Sequence, residues 1–189
     1  MAAAAIPPLK ICANERRAPL QLPFFLVMAI EIERKFLVQT QIWDLLPKPE
    51  GRQYRQGYIS ATPEKSVRIR SDGRQAFLTI KGAAAGASRP EYEYEIPNAD
   101  ALEMLALLCD HVIVKTRFEI SYEGFLWEVD VFAGDNAGLI VAEVELEQED
   151  AVVPLPPWVG KEVTGMPQYY NARLAVYPYQ KWPLKDNEQ

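Results

Sequence analysis

The chain has 189 residues, 49% of them hydrophobic, with 20 basic and 26 acidic side chains and a net charge of −6. That is enough apolar material for one folded domain with a sizeable core, and the acidic balance argues against a nucleic-acid partner held by bulk electrostatics. A single histidine, His111, and two cysteines without metal-type spacing, Cys12 and Cys109, exclude a multi-histidine zinc centre; the thiols read as free in a reducing compartment, and any metal bound here should be a hard, oxygen-seeking ion.

Residues 1–27 are rich in Ala and Pro and lack periodicity. They read as a flexible N-terminal extension, with Met28 as the working start. Arg16-Arg17 followed by Leu20 to Val27 imitates a signal peptide weakly, but Pro23 breaks the run and no small-residue cleavage site precedes Glu31. No apolar run is long enough to span a bilayer, so the expectation is a cytoplasmic protein without a membrane partner.

From 28 to about 180 the pattern is that of one β-rich domain, with 181–189 a frayed tail. Strand-like alternation appears at Glu31–Val38, Arg52–Ser60, Ser66–Ser71, Ala76–Lys81 and Arg89–Ile96. It continues at Val112–Tyr122, Phe125–Phe132 and Leu139–Glu147. Gly73 and the pair Glu123-Gly124 mark tight hairpins, and Gly82 to Ser88 is a small-residue loop. Three helices punctuate the strands: Thr40–Leu46, Asp100–Cys109 and Tyr169–Val176. The second carries a capping box, Asp100 with Glu103, and an apolar stripe of Leu102, Leu105, Ala106 and Cys109. The fold class is therefore mainly β (α+β): an eight-stranded antiparallel meander or barrel with a few flanking helices.

The strands carry an unusual charge pattern. Side chains two apart on a strand share a face, so Glu31, Glu33 and Lys35 point one way. So do Arg68 and Arg70; Thr79 and Lys81; Arg89, Glu91, Glu93 and Glu95; Lys115, Arg117 and Glu119; Glu128 and Asp130; and Glu143, Glu145 and Glu147. The opposite faces are apolar or aromatic. A two-faced sheet with a solvated outer side accounts for alternation alone. It does not account for the sorting of charge by strand, since a solubilising face mixes signs. A barrel with a wet, charged interior accounts for both. Carboxylates would hold Mg²⁺ or Mn²⁺, and Arg and Lys would hold phosphate oxygens. Both in one cavity suit a chain of phosphates with metal counter-ions, although no P-loop or kinase motif is present.

The residues that carry this pattern resemble a known family. Glu31-Ile-Glu33-Arg-Lys35-Phe-Leu-Val is similar to the ExExK opening of the CYTH domain, the triphosphate tunnel metalloenzymes. The resemblance continues through Gln56-Gly57-Tyr58, Val67-Arg68-Ile69-Arg70, Leu78-Thr79-Ile80-Lys81 and Lys115-Thr116-Arg117. It runs on through Glu128-Val-Asp130-Val-Phe, Ala142-Glu143-Val144-Glu145-Leu146, Gly160-Lys-Glu162-Val163-Thr164 and Tyr170-Asn171. It implies an eight-stranded antiparallel tunnel, a divalent metal and a small-molecule triphosphate substrate, with no nucleic-acid partner. By motif, Glu31, Glu33, Glu143 and Glu145 would hold one metal, and Glu93 and Asp130 a second, catalytic ion. Arg68, Arg70, Lys81, Lys115 and Arg117 would grip phosphates, and Lys35 and Tyr58 would stand near the scissile phosphate; a buried core aromatic is an equal reading of Tyr58.

One departure is visible. After Glu162-Val163-Thr164 many members place an acidic residue and then Arg or Lys, where this chain has Gly165-Met166-Pro167-Gln168; Lys161 or Arg173 would have to compensate. The resemblance points to a short bacterial inorganic triphosphatase acting on tripolyphosphate. A class IV-type adenylate cyclase, a thiamine triphosphatase and a non-catalytic polyphosphate- or nucleotide-binding module are the alternatives. A homodimer is the further expectation for its assembly.

Overall fold

The computed structural model describes residues 32–62, 64–83, 90–148 and 150–183. The expectations for residues 1–27, Glu31, Arg89 and the tail from 184 onward lie outside the described residues, as do Cys12 and most of the Gly82–Ser88 loop. The strands are β1 (Ile32–Val38), β2 (Arg52–Ala61), β3 (Ser66–Ser71), β4 (Ala76–Lys81), β5 (Glu91–Ile96), β6 (Val112–Tyr122), β7 (Phe125–Phe132), β8 (Ile140–Leu146) and β9 (Val159–Glu162). They form one antiparallel sheet in the order β5-β4-β3-β2-β6-β7-β8-β1-β9. The mainly β class with few helices is as expected.

Two details differ from the expected eight-stranded barrel. Among the described residues the sheet has nine strands and is open, with β5 and β9 as its edges. The extra strand, β9, is four residues long and pairs with the end of β1 across an irregular register. It follows Pro154, Pro156 and Pro157 and is too short to alternate, so it reads locally as a loop.

Both hairpins form where expected. Glu123 and Gly124 both adopt positive φ, 49° and 85°, the two-residue turn that matches strand twist. In the other, Gly73 has φ +85°, and Asp72 Oδ1 accepts the backbone N–H groups of Arg74 and Gln75 at 2.8 and 2.7 Å.

Helix α1 (Thr40–Leu45) covers one end of the outer face. Its buried Trp43 stacks edge-on to Phe118 and Trp158 within a cluster that includes Phe36, Trp127, Val129 and Val144. Helix α2 (Asn98–Leu107) lies over β3 and β4. Its N-cap is Pro97, not Asp100, so the expected capping box does not form; Asp100 instead sits in the first turn, where its charge favours the helix dipole. The buried stripe is Ala101 and Leu105, which join Ile69 and Ala76, while Leu102 and Ala106 are exposed. Gly57 lets this helix approach: a Cβ there would lie 2.7 Å from Cys109 Cβ and 2.8 Å from its sulfur. The third helix, α3 (Asn171–Val176), is preceded by a 3₁₀ turn at Pro167–Tyr169 and rests against β2 and β6.

The inner face divides along each strand. Two residues below Lys35, Glu143, Asp130 and Lys115 stand Leu37, Val141, Phe132 and Ile113. These four join Leu174, Ala175, Tyr169 and Tyr179 in a buried cluster. An apolar floor plugged by α3 therefore closes one end of a charged cup.

Candidate active site

The cup has a volume of about 440 Å³. Among the residues lining it are Glu33 and Lys35 from β1, Arg68 and Arg70 from β3, Lys81 from β4 and Glu93 from β5. Lys115 and Arg117 from β6 and Glu143 and Glu145 from β8 complete the expected set on its wall. The inward orientation of the ionic side chains is the arrangement that charge sorting predicts.

Antiparallel pairing places like charges directly opposite one another: Glu33 with Glu145 and Glu128 with Glu143. Such pairs repel across neighbouring strands. Cations reach across to offset them. Lys35 Nζ donates to Glu143 Oε1 at 2.7 Å and lies 2.8 Å from Glu33 Oε1, with only 6% of the residue exposed. Burial works to lower the Lys35 pKa, but attraction to Glu143 and Glu33 outweighs it and the pKa rises. Arg117 donates to Glu128, to both oxygens of Asp130 and, at 3.3 Å, to Glu143. Burial opposes its charge, yet those carboxylates raise its pKa further. Burial pushes the Glu128 carboxyl up against the pull of Arg117, and repulsion from Glu143 and Asp130 adds to that push.

The opposite wall is basic. Arg68 Nη2 donates to Thr79 at 3.2 Å, and Thr79 donates to Glu93 Oε2 at 2.7 Å. Glu93 also stands 3.6 Å from both Arg68 and Arg70, and Lys81 pairs with Glu91 at 2.7 Å. Burial, then the neighbouring Arg68, lowers the Arg70 pKa. Three polar atoms on this cup are buried without a hydrogen-bond partner among the described residues: Arg68 Nε, Arg70 Nε and Asn171 Oδ1. Buried orphan donors are costly; both arginines also line the cup, where a guanidinium suits an anion.

Two expected residues sit elsewhere. Tyr58 packs against the floor cluster and does not line the cup. Asp130 is enclosed behind Lys115 and Arg117. Glu93 thus faces Arg68 and Arg70 on β3, whereas Asp130 faces Lys115 and Arg117 on β6. Neither Lys161 nor Arg173 lines the cup, and Arg173 lies over the Tyr177 ring at 6.0 Å. Gln56, Glu91, Glu128 and Asn171 line the cup without having been singled out as ligands. Strand parity was the available signal for the first three; Asn171 arrives from the far end of the chain on α3, which no local pattern foretells.

The carboxylates suit a hard divalent ion by donor type. Glu33, Glu143 and Glu145 are all-oxygen donors on the paired strands β1 and β8. Among the described residues no three acidic groups already converge to ligand distance, and Lys35 and Arg117 hold two of these carboxylates.

The CYTH domain matches residues 29–172. The chain belongs to the CYTH family. It is 49% identical over 156 residues to an inorganic triphosphatase of Acetivibrio thermocellus, covering 82% of this chain and 99% of the relative. It is 41% identical over 157 residues to an inorganic triphosphatase of Nitrosomonas europaea, covering 77% and 97%. A crystal structure of an inorganic triphosphatase superposes with a TM-score of 0.58 at 38% identity, covering 77% of this chain and 94% of that one. Among the described residues no helix is long and apolar enough to cross a membrane.

Proposed function

We propose that this CYTH protein is a metal-dependent, cytoplasmic triphosphatase whose substrate is inorganic tripolyphosphate, cleaved within the charged cup. The observation that carries this reading is the basic wall of Arg68, Arg70 and Lys81 facing an acidic wall of Glu33, Glu143 and Glu145 across about 440 Å³. A pure phosphate binder gains nothing from Glu33, Glu143 and Glu145; a site for metal and phosphate together needs them. The names of the two relatives support the same substrate.

In this reading Arg68, Arg70 and Lys81 hold the phosphate chain against β3 and β4. Their charges and fixed directions neutralise and orient it, which is most of what phosphoryl transfer requires of a protein. Glu33, Glu143 and Glu145, together with Glu31, would hold Mg²⁺ or Mn²⁺. When bound, such an ion neutralises phosphate charge and polarises the bond to be cut. Lys35, on the acidic wall, exchanges a carboxylate for a phosphate oxygen and stabilises charge on the leaving group. No aromatic side chain lines the cup among the described residues, which favours an inorganic substrate over one with a base to be stacked.

Phosphate release from tripolyphosphate, ATP and thiamine triphosphate, each with Mg²⁺ and with Mn²⁺, tests this reading. The expected result is preferential hydrolysis of tripolyphosphate, abolished by Glu33→Gln with the fold intact. Faster turnover of ATP or thiamine triphosphate would overturn the substrate, and full activity of Glu33→Gln would overturn the site.

A further inference from the structure

We infer that Asp130 is a positioning residue, which fixes Lys115 and Arg117 as phosphate-facing donors and takes no part in holding metal. The inference rests on the triphosphatase reading above. Asp130 is the one acidic residue of the expected ligand set, among those described, that does not line the cup, whereas the two cations it contacts both do. Its side chain is 1% exposed.

Both of its oxygens are engaged. Oδ1 accepts from Arg117 Nε at 2.7 Å, and Oδ2 accepts from Arg117 Nη2 at 2.6 Å and from Lys115 Nζ. The Arg117 contact is the two-pronged fork in which carboxylate and guanidinium share a plane, and that geometry fixes the plane of the arginine. Register makes it possible, since Arg117 and Asp130 are directly opposite on β6 and β7. The next inward residue of β7 is Phe132, part of the floor, and the residue facing Asp130 on β8 is Val141, also part of the floor. The carboxylate is thus sealed below by hydrocarbon and above by two cations. A metal ion reaching it would have to pass Lys115 and Arg117 and displace charge-assisted bonds to both.

The consequence is a division among the acids. Glu33, Glu143 and Glu145 stand on the wall, where an ion can reach them. Asp130 stands behind the wall and holds two donors in place. It contributes to transition-state geometry through Lys115 and Arg117 rather than by touching substrate or metal.

The test compares Asp130→Asn with Glu143→Gln. Mn²⁺ binding without triphosphate is followed by the loss of the free-ion electron paramagnetic resonance signal, and tripolyphosphate hydrolysis by phosphate release. The expected results are an Mn²⁺ Kd for Asp130→Asn within threefold of wild type and one for Glu143→Gln raised more than thirtyfold. The kcat of Asp130→Asn should fall about 100-fold, because it forfeits a fixed charge-assisted contact. If Asp130→Asn fails to fold, Asp130→Glu, which keeps the charge but shifts it by one methylene, should show the same split of unchanged Mn²⁺ affinity and reduced kcat. A thirtyfold loss of Mn²⁺ affinity at position 130, or an unchanged kcat for Asp130→Asn, would overturn the inference. Mn²⁺ binding without hydrolysis of any triphosphate would overturn the triphosphatase reading alone, with the Mn²⁺ comparison still deciding the role of Asp130. A wild type that binds no Mn²⁺ would overturn both.

Discussion

Replacing Lys35 with Met should make the fold itself dependent on divalent metal. Met fills most of the space of the lysine stem and deletes the charge. In the wild type one ammonium lies within 2.8 Å of oxygens from both Glu33 and Glu143. Those two carboxylate oxygens are therefore within about 5.5 Å of each other, where two like charges repel by about 3 kcal/mol at an effective dielectric of 20. The Glu33 side chain is 48% exposed, and solvent screening brings the expected net loss down to about 2 kcal/mol. For a domain of this size that is a fall of about 4–8 °C in melting temperature. Circular dichroism melts in EDTA and in millimolar Mg²⁺ read it directly. In EDTA the variant should melt lower than wild type by that amount. With Mg²⁺ most of the difference should vanish, because a cation again separates the carboxylates. Hydrolysis should be lost in both conditions. Equal melting of variant and wild type in EDTA, or a deficit that Mg²⁺ does not narrow, would show that Lys35 does not offset this repulsion.

Acid stability offers a second check. Burial opposes ionisation of Asp130, but Lys115 and Arg117 overcome it and hold its pKa below the usual 3.8. A depressed carboxylate contributes stability that is fully present above its unfolded pKa and is lost as pH falls through the folded one. Wild-type stability should therefore drop below about pH 3.8, and urea melts of Asp130→Asn should lack that component of the drop; identical acid limbs would contradict the buried ion triad. A third prediction concerns packing. Gly57→Ala would thrust a methyl to within 2.7 Å of Cys109 and should cost about 1–3 kcal/mol by pushing Cys109 and the end of α2 off the sheet; an unchanged melting temperature would mean that this segment yields freely.

The charged wall was legible because strand period and charge sign are both local properties. Arg68 and Arg70, or Glu143 and Glu145, declare a shared face by spacing alone, and their sorting by strand told against a solvated exterior. Ion partners were not legible. Lys115 and Asp130 are 15 residues apart and meet because β6 and β7 form a tight hairpin; Lys35 and Glu143 meet only because β1 returns to pair with β8. The sequence therefore marked Asp130 as acidic and inward but could not say that it stands behind two cations. The floor was missed for a related reason. Leu37, Ile113, Phe132 and Val141 look like ordinary core residues until the register sets them side by side beneath the charges. Strand β9 and the opening of the sheet depend on tertiary pairing that a proline-rich stretch conceals, and the helix stripe was misjudged because α2 begins two residues before the acid taken as its cap.

The greasy base of the cup ties chemical competence to strand alignment. A slip by one residue on β1 or β8 would turn the ionic side chains out to water, and a slip by two would keep the faces but put leucine or valine where Lys35 and Glu143 belong. Every methylene lost from that base loosens the same ladders that aim the arginines and glutamates. Substitutions beneath the cup, far from any phosphate, should therefore erode turnover before they unfold the chain.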